Sequence, residues 1–565
     1  MKLKVLGALA LSGVVVLSGL VPATAVAPDD WSTPADLSVT ASEASAPQVA
    51  VAPDNTVVAA WIRTDGTNEI IQSSASTDRG VTWSVPVNLS AAGEDASGPQ
   101  LAVAPNNTFT AIWDRFDGSN NIVQTSSSAD GGATWSTPVD ISVAGQPAQM
   151  AQISAASDNS LTAVWRRSNG SRTVIQSSSS LDGGATWSTP VDLSDATRNA
   201  TTPQIAIAGD GTRTVVWQRT TGGDQFIRSS SSTDGGTTWS VPVDLSAAGQ
   251  DSDTPQVFAA PDNSLTAVWE RSDGSNIIVQ ASSSSDGGVT WSSPVDLSAA
   301  GGDAEQVQLT ITPGGLRTAF WQRDNGSNRI IQSSSSADNG ATWSAPLDVS
   351  ALGGDARQPQ VSAAPDNTLV AVWNRNNGSD RVLQASYSVD QGATWSAAAD
   401  ISAAGGNVAR PQIAVAADSN FVIVWDFDTG TDETIQSSIG LAAPEITSAV
   451  PDEPALEEAY SFQLTATGMT APTFTVSAGV LPTGLSLSAD GLLSGTPTAP
   501  GEFTFTVTAS NGTLPDTTAT YTLTTLALLP ATGQSLPWPL IIGGGVALLL
   551  GAGLLLISRL RNSAK

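Results

Sequence analysis

Three series of polar residues recur along this chain at one fixed interval, and each has chemistry to offer. Arginines at 63, 115, 167, 219, 271, 323 and 375 each follow a tryptophan by two positions, with Phe427 in the eighth place. Seven equivalent guanidinium groups (Arg63, Arg115, Arg167, Arg219, Arg271, Arg323, Arg375) can grip anionic ligands in bidentate fashion. Each can equally pair with a carboxylate of its own repeat, such as Asp140, Asp192, Asp244, Asp296, Asp348 or Asp400. Glutamines at 48, 100, 152, 204, 256, 308, 360 and 412 form a second, complete series, whose amides suit sugar or water as well as bonds between repeats. Aspartates at 78, 130, 182, 234, 286, 338 and 390 form the third, each inside the turn Ser-x-Asp-x-Gly-x-Thr-Trp. There the carboxylate can bond backbone amides within the turn while Gly adopts angles other residues resist, a structural use of the aspartates Asp78, Asp130, Asp182, Asp234, Asp286, Asp338 and Asp390. The chain has no His and no Cys. That removes the usual general base, thiol chemistry and the commonest transition-metal ligands, so catalysis would fall to carboxylates, Tyr or Ser.

The elements that position these residues repeat every 52 residues. Each unit reads as four short alternating runs, A to D, exemplified by PQVFAAPDN, SLTAVWERSDGSN, IIVQASSSSDGG and VTWSSPVDLS, with Gly, Pro, Asn and Asp at the joints. A four-stranded unit of this length cannot bury both faces alone, and the period is that of a propeller blade. The Trp ending strand B occurs eight times, from Trp61 to Trp425, and the Trp opening strand D eight times, from Trp31 to Trp395. The series begins with a lone strand D (WSTPADLS, from Trp31) and ends with a lone strand C (ETIQSSIG, to Gly440). The two ends therefore complete one blade, leaving no open edge. The expectation is an all-β protein: an eight-bladed β-propeller closed by N- and C-terminal strands over 26–440, then a β-sandwich over 441–526.

The eight-residue turn resembles the Asp-box of sialidases and related β-propellers. That resemblance implies a sialidase-like scaffold, yet sialidases have six blades, a Tyr nucleophile activated by Glu, an acidic proton donor and three substrate-gripping Arg. The ring region holds one Tyr, Tyr387, immediately before an Asp-box, at the blade end opposite the catalytic face of sialidases. No Phe-Arg-Ile-Pro or Tyr-Arg-Ile-Pro sequence occurs. The resemblance covers the turn and not the catalytic set. The uniform spacing, without insertions, also argues against catalysis and for repeated weak contacts that gain by multivalency.

Residues 441–526 alternate as strands in YSFQLTATG, LPTGLSLSADGLLSGTPTAPGEFTFTVTASNG and TATYTLTT. Leu481 to Asn511 resembles the immunoglobulin-like, cadherin-like domains of bacterial surface proteins. Some of that group are associated with calcium, which the resemblance implies only weakly here, since the Asp-rich motifs of true cadherins are absent; no other cofactor or metal is expected. Such a domain would hold the propeller away from a wall.

Both ends carry processing signals. Lys2, Lys4, the apolar run to Val21 and Ala23-Thr24-Ala25 read as a signal peptide over 1–25. Leu529-Pro530-Ala531-Thr532-Gly533, the apolar stretch Leu540 to Ile557 and a basic tail occupy 527–565. This order resembles the LPxTG sorting signal of Gram-positive surface proteins. It implies that a sortase cuts after Thr532 and joins the chain to peptidoglycan, so the apolar span is a transmembrane stop only before sorting. The exported part keeps 18 Arg against 52 Asp and Glu, a net charge of −34, which repels nucleic acid and anionic lipid. The expected function is non-catalytic recognition or adhesion at the cell surface, with an extracellular glycan or protein as ligand; a sialidase-like glycoside hydrolase is the alternative.

Overall fold

The computed structural model describes residues 28–39, 43–247, 249–442, 444–468, 472–511 and 516–525. The chain divides into two compact units. The larger one contains the repeats, arranged as a β-propeller of blade-like antiparallel sheets; eight sheets occur there among the described residues. One unit typifies them: strand A is Ser252–Ala259, B is Leu265–Ser272, C is Ile277–Ser284 and D is Val295–Asp296, hydrogen-bonded in that order. B and C pair without a break from Leu265↔Ser284 to Ser272↔Ile277. Strand D pairs at only two residues, Gln280↔Asp296 and Ala281↔Val295, and is far shorter than its sequence suggests. Ser292 explains this, because its hydroxyl accepts from Ser283 N (3.1 Å) and its backbone carbonyl from Ser282 Oγ (2.7 Å), replacing ladder bonds with side-chain ones. Pro294 then offers no N–H to continue pairing.

The last sheet is assembled from both ends of the chain. Asn407–Val415, Phe421–Asp428 and Glu433–Ala442 supply its inner three strands. Ala35 and Asp36 pair with Ser437 and Gln436 as strand D. Pro28, Asp30 and Trp31 pair with Ala442, Leu441 and Gly440, where other sheets carry an Asp-box. Strands A of successive sheets lie side by side, and Ala44–Val51 of the first lies against Asn407–Val415 of the last.

Packing between sheets follows the period. Trp61, Trp113, Trp165, Trp217, Trp269, Trp321, Trp373 and Trp425 are fully buried, each in a cluster shared by two neighbouring sheets. Val268, Val279 and Leu297 of one sheet, for example, pack on Leu309, Ala319 and Trp321 of the next. Truncating one such indole to Ala would cost about 3–5 kcal/mol.

Side chains also bolt neighbours together at the A–B turns. Asn107, in the left-handed region (φ 67°), accepts from Asp54 N of the preceding sheet at 3.3 Å. Asn159, Asn263 and Asn367 repeat the contact with Asn106, Asp210 and Gly314. Asn55 accepts from Ala417 N (2.9 Å) across the closure. Where the turn carries Gly211 or Gly315 instead, an arginine two residues on takes over. Arg213 donates to Thr162 Oγ1 (2.8 Å) and Ser160 Oγ (2.6 Å) of the preceding sheet, and Arg317 bonds Thr266 and Ser264 in the same way.

The smaller unit holds two three-stranded sheets. Tyr460–Gln463, Leu492–Gly495 and Leu485–Leu487 form one; Thr473–Gly479, Gly501–Ser510 and Thr517–Thr525 form the other. Alternate residues Phe505, Val507, Tyr521 and Leu523 are buried with Leu464, Phe474 and Leu493, as an immunoglobulin-like sandwich requires.

Candidate functional site

The innermost strands build a polar mouth around the ring's axis. Every strand A breaks register two residues before its glutamine, as between Asp253 and Gln256. The residue in the break has a positive φ in all eight: Ala46, Gly98, Met150, Thr202, Thr254, Gln306, Gln358 and Arg410 lie between 46° and 63°. Seven of these are not glycine, so the ring holds strained bulges in a circle. The glutamine series opens beside them. Gln48, Gln100, Gln152, Gln204, Gln256, Gln308, Gln360 and Gln412 are all half-buried, and none of their side-chain amides has a hydrogen-bond partner among the described residues. Gln256, Gln308, Gln360 and Gln412, with Thr254, Gln306, Gln358, Arg410 and Glu270, enclose a cavity of about 310 Å³. Bonds between blades therefore do not account for this series.

What holds the bulges is a position the repeat leaves open. Between the strand-B Trp and Arg stand Ile62, Asp114, Arg166, Gln218, Glu270, Gln322, Asn374 and Asp426. Asp114 Oδ2 accepts from Met150 N of the next sheet at 3.0 Å, Glu270 Oε1 from Gln306 N at 2.6 Å, and Gln322 Oε1 from Gln358 N at 3.4 Å. Gln358 Oε1 in turn accepts from Arg410 N (2.9 Å) and Asn374 Nδ2 (2.7 Å). Arg410 bonds Asp426 and reaches Glu433 at 2.9 Å. Burial raises Asp114 to about 7 against the lowering effect of the Met150 and Ala151 amides and Arg166. Burial likewise raises Asp426 to about 7, opposed chiefly by Arg410, and lifts Glu270 above its ordinary range. The surface is thus uniform in length and unequal in chemistry. These carboxylates were missed because they sit between invariant residues; their variation from repeat to repeat was the available signal.

The arginine series lies elsewhere. All seven residues are half-buried, each at the B–C end of its sheet. Arg323 donates to the carbonyls of Ala299 (2.7 Å), Ala300 and Asp324, and Arg375 lines a separate hollow with Gly354 and Asp355. The Nε atoms of Arg63, Arg115, Arg167, Arg219, Arg271 and Arg375 are buried without a partner. The expected pairing with strand D fails except for Arg167 and Asp192 at 3.5 Å. Strand register is the reason: Asp296 stands opposite Gln280, while Arg271 stands opposite Ile278. The strand-C glutamines take the carboxylates instead, as in Gln280 Nε2 to Asp296 (2.6 Å) and Gln124 Nε2 to Asp140 (2.6 Å).

The Asp-box carboxylates are consumed by their own turns. Asp234 accepts from Thr238 N (2.9 Å), Thr238 Oγ1 (2.6 Å) and Ser232 Oγ (2.8 Å), bonds that hold it down at about 2, the Thr238 hydroxyl contributing most. The same set surrounds Asp78, Asp130, Asp182, Asp286, Asp338 and Asp390. At that end of the axis Val51, Val103, Pro53, Pro105 and Ala416 frame an apolar opening of about 580 Å³. Tyr387 lies on strand C between the last two sheets, packed with Trp31 away from the axial mouth. Among the described residues no group of three His, Cys, Asp or Glu is placed to hold a metal ion, and no helix is long and apolar enough to cross a membrane. The signal peptide, Leu529 to Gly533 and the apolar stretch lie outside the described residues.

Residues 443–526 match the family model described as "Putative Ig domain". No curated protein matches the chain. Solved structures similar to it include a protein of unknown function from Dyadobacter fermentans, at 16% identity over 52% of this chain and 94% of that one, with a TM-score of 0.36. The Hadza microbial sialidase Hz136 aligns at 14% identity over 73% of this chain and 97% of its own (TM-score 0.34). The NanB sialidase of Streptococcus pneumoniae aligns at 15% over 71% and 69% (TM-score 0.33).

Proposed function

We propose that this chain is a sortase-anchored surface protein of a Gram-positive bacterium. In this reading an eight-bladed propeller recognises an extracellular glycan or protein without turning it over, and the immunoglobulin-like domain serves as its stalk. The observation that carries recognition is the circle of half-buried glutamine amides with no internal partner. These half-buried amides are open to water, so each bond to a ligand is worth only about 0.5–1.5 kcal/mol, and a ligand that bonds several at once gains by multivalency. The cavity has the volume of a small-ligand site and a lining dominated by polar side chains. Signal sequence, LPxTG motif, apolar stretch and basic tail support secretion and covalent attachment to peptidoglycan.

The test is retention of the purified full chain on a glycan array, including sialylated structures, compared with a Gln308→Ala, Gln360→Ala, Gln412→Ala variant. Recognition at the mouth requires selective retention that the triple variant loses without a change in melting. Retention indifferent to the triple variant would sink the mouth as the binding surface. Attachment is tested by replacing Thr532 with Ala, which should move the chain from the peptidoglycan fraction to the membrane fraction.

A glycoside hydrolase remains the second reading, favoured by Asp114 and Asp426, raised by burial to about 7 and so able to donate protons at neutral pH, and by Glu270 at the mouth, which burial lifts above its ordinary range. Against it, each already serves a bulge amide or an arginine, and no Tyr lines the mouth. Steady release of fluorophore from a fluorogenic glycoside, abolished by Glu270→Gln, would favour it.

A further inference from the structure

The departures from the repeat converge a second time, at the seam where the chain closes. In each of the seven Asp-boxes the glycine three residues before the Trp packs over the preceding sheet. A Cβ added at Gly184, Gly236, Gly288 or Gly340 would lie 2.2–2.5 Å from the hydroxyl of Ser127, Ser179, Ser231 or Ser283. That residue is Ala75 or Ser in the first six sheets, and in the last it is Ile439, the largest that a box glycine covers, whose Cγ2 would lie 2.9 Å from a Cβ added at Gly80. The seventh sheet faces the strand Pro28–Trp31 rather than a box, and there the residue is Tyr387. Its strand D departs at the same place: Ala398 replaces the proline of every other sheet, and Ala399 stands where six sheets carry Val87, Val139, Val191, Val243, Val295 or Leu347 and the last carries Ala35.

These changes open a groove of about 530 Å³ along the ring's outer wall. Tyr387 and Trp31, both half-buried, form its aromatic side. The Tyr387 hydroxyl has no hydrogen-bond partner among the described residues, which is unusual for a phenol held against protein. Asp400 and Thr33 supply polar edges: Asp400 uses one carboxylate oxygen on Gln384 Nε2 (2.7 Å) and presents the other, and the Thr33 hydroxyl is exposed. Among the described residues no Arg or Lys lines the groove.

We infer that this seam groove is a second binding site, independent of the axial mouth, and that it takes an uncharged saccharide. Aromatic faces pack on the apolar face of a pyranose ring, while a carboxylate oxygen, a phenol and a hydroxyl meet the ring hydroxyls. One carboxylate with no balancing cation, on a chain of net charge −29, disfavours sialylated or sulfated ligands.

Calorimetric titration of the purified full chain with cellotetraose and chitotetraose, with 3′-sialyllactose as the anionic comparison, tests the site. At least one neutral tetrasaccharide should bind saturably and the sialylated one at least tenfold more weakly. Tyr387→Ser installs the residue that five other sheets carry at this point, so it is compatible with the blade, and it should weaken binding at least tenfold at unchanged melting. Ala399→Val, which refills the groove with the residue of other sheets, should do the same. Gln308→Ala, at the mouth, should leave the affinity within twofold. The assignment is overturned if neither neutral sugar binds, if both seam variants bind like the parent, or if Gln308→Ala alone removes binding.

Discussion

Asp114→Asn separates the electrostatic cost of the mouth from its geometry. Burial lifts Asp114 to about 7, from 3.8 for an ordinary side chain. Between about pH 4 and pH 7 the folded ring therefore binds more protons than the unfolded chain, and stability falls as pH rises through that window. Below it the carboxyl is neutral in both states. Above it the folded state must hold a buried charge. About three pH units at about 1.36 kcal/mol each set a ceiling of about 4 kcal/mol for this penalty. Asn removes the charge and keeps a carbonyl oxygen for Met150 N, and Asn374 already occupies the equivalent position in another sheet. Denaturant unfolding followed by tryptophan fluorescence reports the ring, since every Trp except Trp538 lies in the repeats. The variant should match the parent near pH 4 and exceed it at pH 8 by several kcal/mol, within the ceiling. An equal offset at both pH values, or a variant less stable at pH 8, would refute the view that Asp114 is a buried charge there.

Four further outcomes test the scaffold. Arg317→Leu, the residue of three other sheets, should destabilise the ring by about 1–3 kcal/mol by leaving Ser264 and Thr266 without the guanidinium. Adding Gly315→Asn should recover part of that loss by restoring the asparagine bolt, since the site has φ +85° and space for a side chain; denaturant midpoints of the single and double variants decide this. Asp234→Asn should speed hydrogen exchange at the Thr238 amide while leaving the melting temperature nearly unchanged, because the turn is local and exposed. Ser283→Tyr, which imports the seam residue into a closed interface, should destabilise strongly, because Gly340 lies over that hydroxyl; a melting curve equal to the parent's would contradict the packing argument.

The scaffold was legible because its signals repeat. Tryptophans every 52 residues marked the strands, and the lone strands at Trp31 and Gly440 announced the pairing of the two ends. The mouth was harder to read for a physical reason. Seven of the eight bulge positions carry residues such as Met150, Thr254 and Arg410, which give no glycine-like hint of a left-handed backbone; the strain is held by Asp114, Glu270 and Gln322 from the neighbouring sheet, and only the folded ring brings them together. Strand D misled because VTWSSPVDLS alternates like a strand, while Ser292 and Pro294 convert its first half into a side-chain-bonded loop. The arginine pairing with strand D was misjudged because spacing does not show register: Asp296 stands opposite Gln280, not Arg271, and only Arg167 meets its aspartate.

Closure by strands from opposite ends sets a timetable for making the protein. Ser32 and Ser438 meet across 406 residues, so the opening strand waits on the ribosome's completion of every repeat before its partner exists. Seven sheets can condense locally as they are synthesised, each needing only contacts within about 50 residues. The eighth cannot. A chain cut between Asp428 and Glu433 would keep a bare strand-B edge at one end and an unclaimed Trp31 segment at the other, a pair of surfaces suited to joining a second truncated chain. Proteolytic loss of the first dozen described residues would bare the strand-C edge instead, which makes the short Pro28–Trp31 and Ala35–Asp36 strands the latch that covers the outer edge of the last sheet.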